Sequence, residues 1–184
     1  GANPVITTAT DINGKAAFDM LVKKMWANVD KLRGLSLDIN SALLKGGDIY
    51  LYIDPDYRTY FEKEELRGFN LVDEVKDLES MGKSIKRDKI VISDKLDVCE
   101  FAKEHGWVLV VPRRNVLGLG CRKNTDSNLF EGEVLRYLSE VNIDVKSIGR
   151  VGTIDLKKDE ACILGFCSKY GIKSEFFSPE APWA

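Results

Sequence analysis

Long apolar stretches are missing from this 184-residue chain. The longest uninterrupted run, Trp107 to Val111, is far short of the roughly 20 residues a membrane helix needs, so no membrane partner is expected. An excess of either charge is missing too. Lys and Arg total 27 against 29 Asp and Glu, a formal net charge of −2, which leaves no global field to draw in nucleic acid. Histidine occurs once, as His105, at an expected helix end where a positive group is favoured whatever the function. The cysteines Cys99, Cys121, Cys162 and Cys167 form no CxxC pair, so their spacing suggests no structural zinc and no metal ligand is expected. A reduced, cytoplasmic protein is the reading. The opening Gly1-Ala2-Asn3-Pro4 has no methionine and no signal-peptide core behind it, which suggests an excised piece of a longer chain.

With 44% hydrophobic and 30% charged residues, the chain has a soluble globular composition, and its length permits one domain or two. Ala17, Phe18, Leu21, Val22 and Met25 recur at the spacing of one helical face, and a second helix is predicted over Asp30 to Lys45. Strands are predicted at Ile49 to Ile53, Lys89 to Ser93 and Trp107 to Val111, whereas Tyr57 to Lys83 reads as loop with some helix. Pro112-Arg113-Arg114-Asn115 separates two apolar strands, so two domains are expected, 1–112 and 113–184. Beyond it come a strand at Val116 to Leu119, a helix near Asp126 to Val141 and a strand from Val145 to Ile154. A helix over Glu160 to Tyr170 and a strand at Glu175 to Phe177 follow. The fold class is α/β: two small domains, each a parallel or mixed sheet covered by helices.

Three segments carry candidate chemistry. Gly118, Gly120, Cys121, Arg122 and Lys123 lie in a loop between a strand and a helix, where glycine amides, two cations and a helix dipole suit an anion. A plain tight turn with solvated Arg and Lys explains the same residues. The third glycine of the dinucleotide fingerprint is replaced by Lys123, and no GxxxxGK[ST] loop exists, which disfavours a nucleotide site. Cys121 could be an activated thiol beside Arg122, but no base stands near it in sequence and a small packed filler is the safer reading. The second segment, Thr153 to Glu160, sets Asp155, Lys157 and Glu160 at the carboxyl end of a strand, where ligands bind in open α/β sheets; a cap and a solvated first turn are the alternative. The third, with Thr7, Thr8, Thr10, Asp11 and Asn13, follows a strand end and could hydrogen-bond a polar ligand or form ordinary turns.

Together these segments resemble the CbiG family. Pro4 to Asp11 with Asn13-Gly14, and Asn40 to Leu43 ahead of Gly46, are similar to its middle domain. Val116 to Lys123, Thr153 to Glu160 and Phe176-Phe177-Ser178 resemble its C-terminal domain. The family pattern extends beyond both ends, so an N-terminal domain is expected before Gly1 and a C-terminal remainder after Ala184. The resemblance implies cobalt-precorrin-5A hydrolase activity in the anaerobic route to cobalamin: opening of the ring A δ-lactone and release of acetaldehyde. It implies a cobalt-tetrapyrrole substrate that brings its own metal, so no further cofactor is expected, and neighbouring corrin-pathway methyltransferases as partners. On position alone, Glu160 or Asp155 is the expected general base with Lys157 as its electrostatic partner, while Gly118 to Lys123 and the Thr7 to Asn13 segment bind substrate. The alternative reading is a non-catalytic tetrapyrrole-binding or scaffolding module.

Overall fold

Residues 17–27, 29, 31–81 and 88–178 are described by the computed structural model, in which the chain divides into two units, Gly1–Pro112 and Arg113–Ala184. The candidate segment from Thr7 to Asn13 lies outside the described residues.

In the first unit, helices α1 (Phe18–Lys24) and α2 (Leu32–Leu44) precede strand β1 (Ile49–Ile53). They are followed by α3 (Pro55–Arg58), β2 (Phe69–Val72), α4 (Asp77–Ser80), β3 (Lys89–Ile92), α5 (Leu96–Glu104) and β4 (Val108–Val110). The strands form a parallel four-stranded sheet in the order β2-β1-β3-β4. Every residue of β3 is buried, the pattern of a central parallel strand with both faces covered. Alternation divides the cover: Leu51, Ile53, Ile90 and Ile92 pack against Phe18, Ile39 and Leu43, whereas Tyr52 and Val91 pack against Leu78, Ala102 and Trp107.

Strand β2 stands where the sequence suggests only loop and helix. It is four residues long, lies at the sheet edge and buries only Phe69 and Val72, too brief an alternation to register as a strand. Arg58 fastens it, donating to Ile53 O at 3.1 Å and to Val72 O at 3.2 Å, so one guanidinium spans the ends of β1 and β2. At the neighbouring strand ends Ser93 Oγ donates to Asp54 Oδ2 at 3.0 Å and Tyr57 Oη donates to Asp94 Oδ2 at 2.8 Å. Asp54 also accepts from the Asp56 amide, capping α3, whose Pro55 needs no N–H at that position. Burial, and then the Asp94 carboxylate, push the Tyr57 phenol far above its ordinary range.

The second unit is a parallel three-stranded sheet, β5 (Asn115–Gly118), β6 (Ile148–Ile154) and β7 (Lys173–Phe177), in that order. Helix α6 (Ser127–Glu140) connects the first pair of strands and α7 (Ala161–Tyr170) the second. Asp126 caps α6 by accepting from the Asn128 and Leu129 amides at 2.9 and 3.0 Å. Phe130, Val134 and Leu138 of α6 share one core with Cys162, Ile163, Phe166 and Cys167 of α7, over Ile148 and Val151 of the sheet. Arg113 secures the start of the unit, donating to Ile148 O at 3.2 Å and Gly171 O at 2.7 Å. Its own backbone runs so close to β6 that a Cβ on Gly149 would stand 2.6 Å from Arg113 O, which only glycine permits. The opposite face of the sheet is more open: Val116 is 68% exposed, and Ile154 and Phe177 are each 40% exposed.

Candidate active site

The sheet register explains the site. Gly118 of β5 pairs with Gly152 of β6, and Ile154 pairs with Phe177 of β7, so two glycines lie side by side just before the carboxyl ends of the strands. A Cβ on Gly118 would meet nothing within 4 Å, whereas one on Gly152 would stand 3.2 Å from Phe177 Cε2. The result is a flat, side-chain-free strip walled by an aromatic ring. Above it is a cavity of about 600 Å³, lined by Val116, Gly118, Leu119, Gly120, Cys121, Gly152, Thr153, Ile154, Lys157 and Phe177. Lys157 is the only ionised group of that lining. Thr153 Oγ1 is buried and has no hydrogen-bond partner among the described residues.

After Ile154 the chain makes a 3-10 turn, Asp155–Lys157, and Glu160 then occupies the N-cap position of α7. The turn directs Lys157 back toward Glu160: Nζ lies 3.3 Å from Oε1, with the two side chains only 20% and 12% exposed. The other carboxylate oxygen, Oε2, accepts from the Asn124 amide at 3.1 Å. Asn124 has a left-handed backbone (φ 60°), which asparagine adopts more readily than most residues. The glycine-containing loop therefore does meet an anion, and that anion is the chain's own Glu160. The first amides of α6 are likewise taken, by Asp126.

Beside Glu160 the Cys162 thiol donates to Cys121 Sγ at 3.5 Å. A carboxylate oxygen of Glu160 and the two sulfurs all lie within 4.8 Å of one another. Burial first, then the hydrogen bond and charge of Cys121, push the Cys162 thiol up to about 11, so it is protonated at neutral pH.

Of the residues singled out from sequence, Gly118, Gly120, Cys121 and Lys157 line the cavity. Glu160 stands behind Lys157, and Asp155 begins the turn between the lining residues Ile154 and Lys157. Arg122 and Lys123 are exposed on the loop and are not part of the lining. Sequence reasoning passed over Gly152 and Phe177 as site residues. A glycine inside a strand signals a close approach or an open floor, and Gly152 within an apolar strand carried that signal.

Residues 115–181, which contain the cavity and the sulfur–carboxylate group, match the family described as Cobalamin synthesis G C-terminus. Cobalt-precorrin-5A hydrolase of Salmonella typhimurium is 31% identical over 181 residues, an alignment that takes in 98% of this chain and 50% of the relative. Residues 115–181 of the chain therefore belong to the C-terminal part of the CbiG family. Two further relatives are cobalt-precorrin-5A hydrolase of Priestia megaterium, 25% identical over 97% of the chain and 48% of the relative, and a probable cobalt-precorrin-5A hydrolase of Methanocaldococcus jannaschii, 28% identical over 90% and 42%. The chain thus spans about half the length of the curated relatives it matches. No solved structure matches it at a significant level. Among the described residues no helix is long and apolar enough to cross a membrane.

Proposed function

We propose that this chain acts in cobalamin biosynthesis as part of a cytoplasmic cobalt-precorrin-5A hydrolase, opening the ring A δ-lactone and releasing acetaldehyde to give cobalt-precorrin-5B. One observation carries the reading: a paired-glycine floor, Gly118 beside Gly152, with apolar walls and a single cation, Lys157, in the lining. A planar macrocycle needs a flat apolar surface for its face and cations for its peripheral carboxylates. Val116, Ile154 and Phe177 offer the first, and Lys157 with the exposed Arg122 and Lys123 of the adjoining loop offers the second. The names of the relatives support the same substrate.

Lactone opening needs a base for the attacking water, a charge for the tetrahedral oxyanion and a proton for the departing ring oxygen. Both oxygens of Glu160 are engaged, by Lys157 and by the Asn124 amide. Asp155 begins the turn directly after the lining residue Ile154, so it takes the base role. It removes the water proton and returns it to the departing oxygen. Lys157, held by Glu160, stabilises the oxyanion. In the following cleavage the freed hydroxyl loses its proton, the carbon–carbon bond breaks, and the macrocycle accepts the electron pair as acetaldehyde leaves. The cobalt belongs to the substrate.

The test is incubation of the full-length protein with cobalt-precorrin-5A and assay for acetaldehyde. Stoichiometric acetaldehyde supports the hydrolase; tight substrate binding without it identifies a tetrapyrrole-holding module that serves neighbouring corrin-pathway methyltransferases instead.

A further inference from the structure

We propose that Cys121, Cys162 and Glu160 form a binding site for one divalent d-block ion, zinc(II) by the character of the donors. The inference is independent of the hydrolase reading. Spacing along the chain conceals the site, because 41 positions separate the two thiols and neither belongs to a CxxC pair. Folding brings the loop after β5 against the start of α7 and places all three ligand atoms within 4.8 Å of one another.

Geometry supports an ion among them. With zinc–sulfur bonds of ~2.3 Å, two sulfurs of a tetrahedral site stand ~3.8 Å apart. The sulfurs are 3.5 Å apart here, so a few tenths of an ångström separate the thiol pair from a ligand pair. Two sulfurs and one carboxylate suit a borderline-soft ion and do not suit magnesium or calcium, which take oxygen donors.

Charge supports it as well. A dication with two thiolates and a carboxylate carries one net negative charge, and the Lys157 ammonium, 3.3 Å from Glu160 Oε1, balances it. Glu160 and Cys162 sit at the N-cap and second helical positions of α7, where the helix dipole favours anionic ligands. The Asn124 amide holds Glu160 Oε2, the kind of outer contact that orients a metal-binding carboxylate. Three protein ligands leave a fourth tetrahedral position for water. Cys121 is also a wall of the cavity, so the ion would adjoin that space.

The full chain, reduced with a phosphine and stripped of metal, is dialysed against zinc(II) or, as a spectroscopic probe, cobalt(II). The proposal expects one zinc per chain and thiolate-to-cobalt charge-transfer absorption in the near ultraviolet. Cys121→Ser and Cys162→Ser should each remove that absorption and weaken zinc binding by at least the ~10–100-fold that loss of an outer-sphere partner costs. Cys99→Ser and Cys167→Ser should leave both unchanged. A second measurement needs no variant: zinc should protect Cys121 and Cys162 from alkylation, read by peptide mass, with no effect on Cys99 and Cys167. Absence of stoichiometric zinc, charge transfer that survives in the Cys121 and Cys162 variants, or equal alkylation with and without zinc overturns the proposal. So does a Cys121–Cys162 disulfide that persists under the reducing conditions.

Discussion

The Asn124 amide donates to Glu160 Oε2 at 3.1 Å although 36 positions separate the two residues. One carboxylate thereby joins the loop that leaves β5 to the start of α7, and through Lys157 it reaches the cavity. Glu160→Ala should therefore destabilise the second unit by about 1.5–3 kcal/mol, the usual range for hydrogen bonds to a charged group. Urea unfolding of the variant and parent checks this; equal midpoints would reduce the contact to surface decoration.

Asp155→Asn removes the proposed base with little change of shape. Turnover of cobalt-precorrin-5A by the full-length protein should fall ~10²–10⁴-fold with KM nearly constant. Arg122→Ala should do the reverse, raising KM while kcat stays within a few-fold, since a guanidinium binds carboxylates and does not carry protons. Steady-state kinetics of the pair decides both assignments.

The two floor glycines should respond differently to a side chain. A Cβ at Gly118 meets open space, so Gly118→Val should leave the melting temperature close to the parent value while raising KM at least tenfold, about 1.4 kcal/mol of lost binding, by filling the floor. Gly152→Ala must displace the Phe177 ring, 3.2 Å away, and should lower the melting temperature as well. Calorimetry beside substrate titration separates the cases.

In the first unit Ser93→Ala leaves Asp54 Oδ2 without the donor it has at 3.0 Å. Asp54 is only 4% exposed, so the loss should cost about 1–3 kcal/mol. Denaturant titration tests it, and no change in midpoint would mean that water replaces the hydroxyl.

Lys24 holds the Glu65 carboxyl below the ordinary carboxylate range, chiefly by its hydrogen bond and then with help from the Glu62 amide. A depressed folded value means that the contribution is complete above the ordinary carboxylate range and is lost as pH falls through the folded value. Both side chains are about one-third exposed, so the pair should contribute no more than ~1 kcal/mol. Glu65→Gln should lower the unfolding free energy at pH 7 and cost nothing at a pH acid enough to protonate Glu65 in the parent.

Much of the fold was legible because its signals are local. Ala17, Phe18, Leu21, Val22 and Met25, expected to share a helical face, are all buried. Gly171 ends α7 with a φ of 61°, as its place after Tyr170 implied. Strand β2 was not legible, because Asn70 and Leu71 interrupt the alternation and an edge strand is fixed by its neighbour and by Arg58 rather than by its own pattern. The site was legible in parts. Its loops announce themselves through Gly118, Gly120 and the Asp155 to Glu160 run, but the pairing of Gly118 with Gly152 depends on register, and the meeting of Cys121 with Cys162 depends on how α7 returns to the sheet. Neither has a signature along the chain.

The position of Arg113 bears on how this half of the protein can be isolated. The family match begins at residue 115, but the guanidinium that clasps Ile148 and Gly171 lies two positions earlier, and the Arg113 carbonyl fills the space left by Gly149. A gene fragment cut at the match would encode a sheet with its clasp removed and a hollow beside β6. Expression of the isolated half is best begun at Arg113, where the clasp travels with the strands it closes.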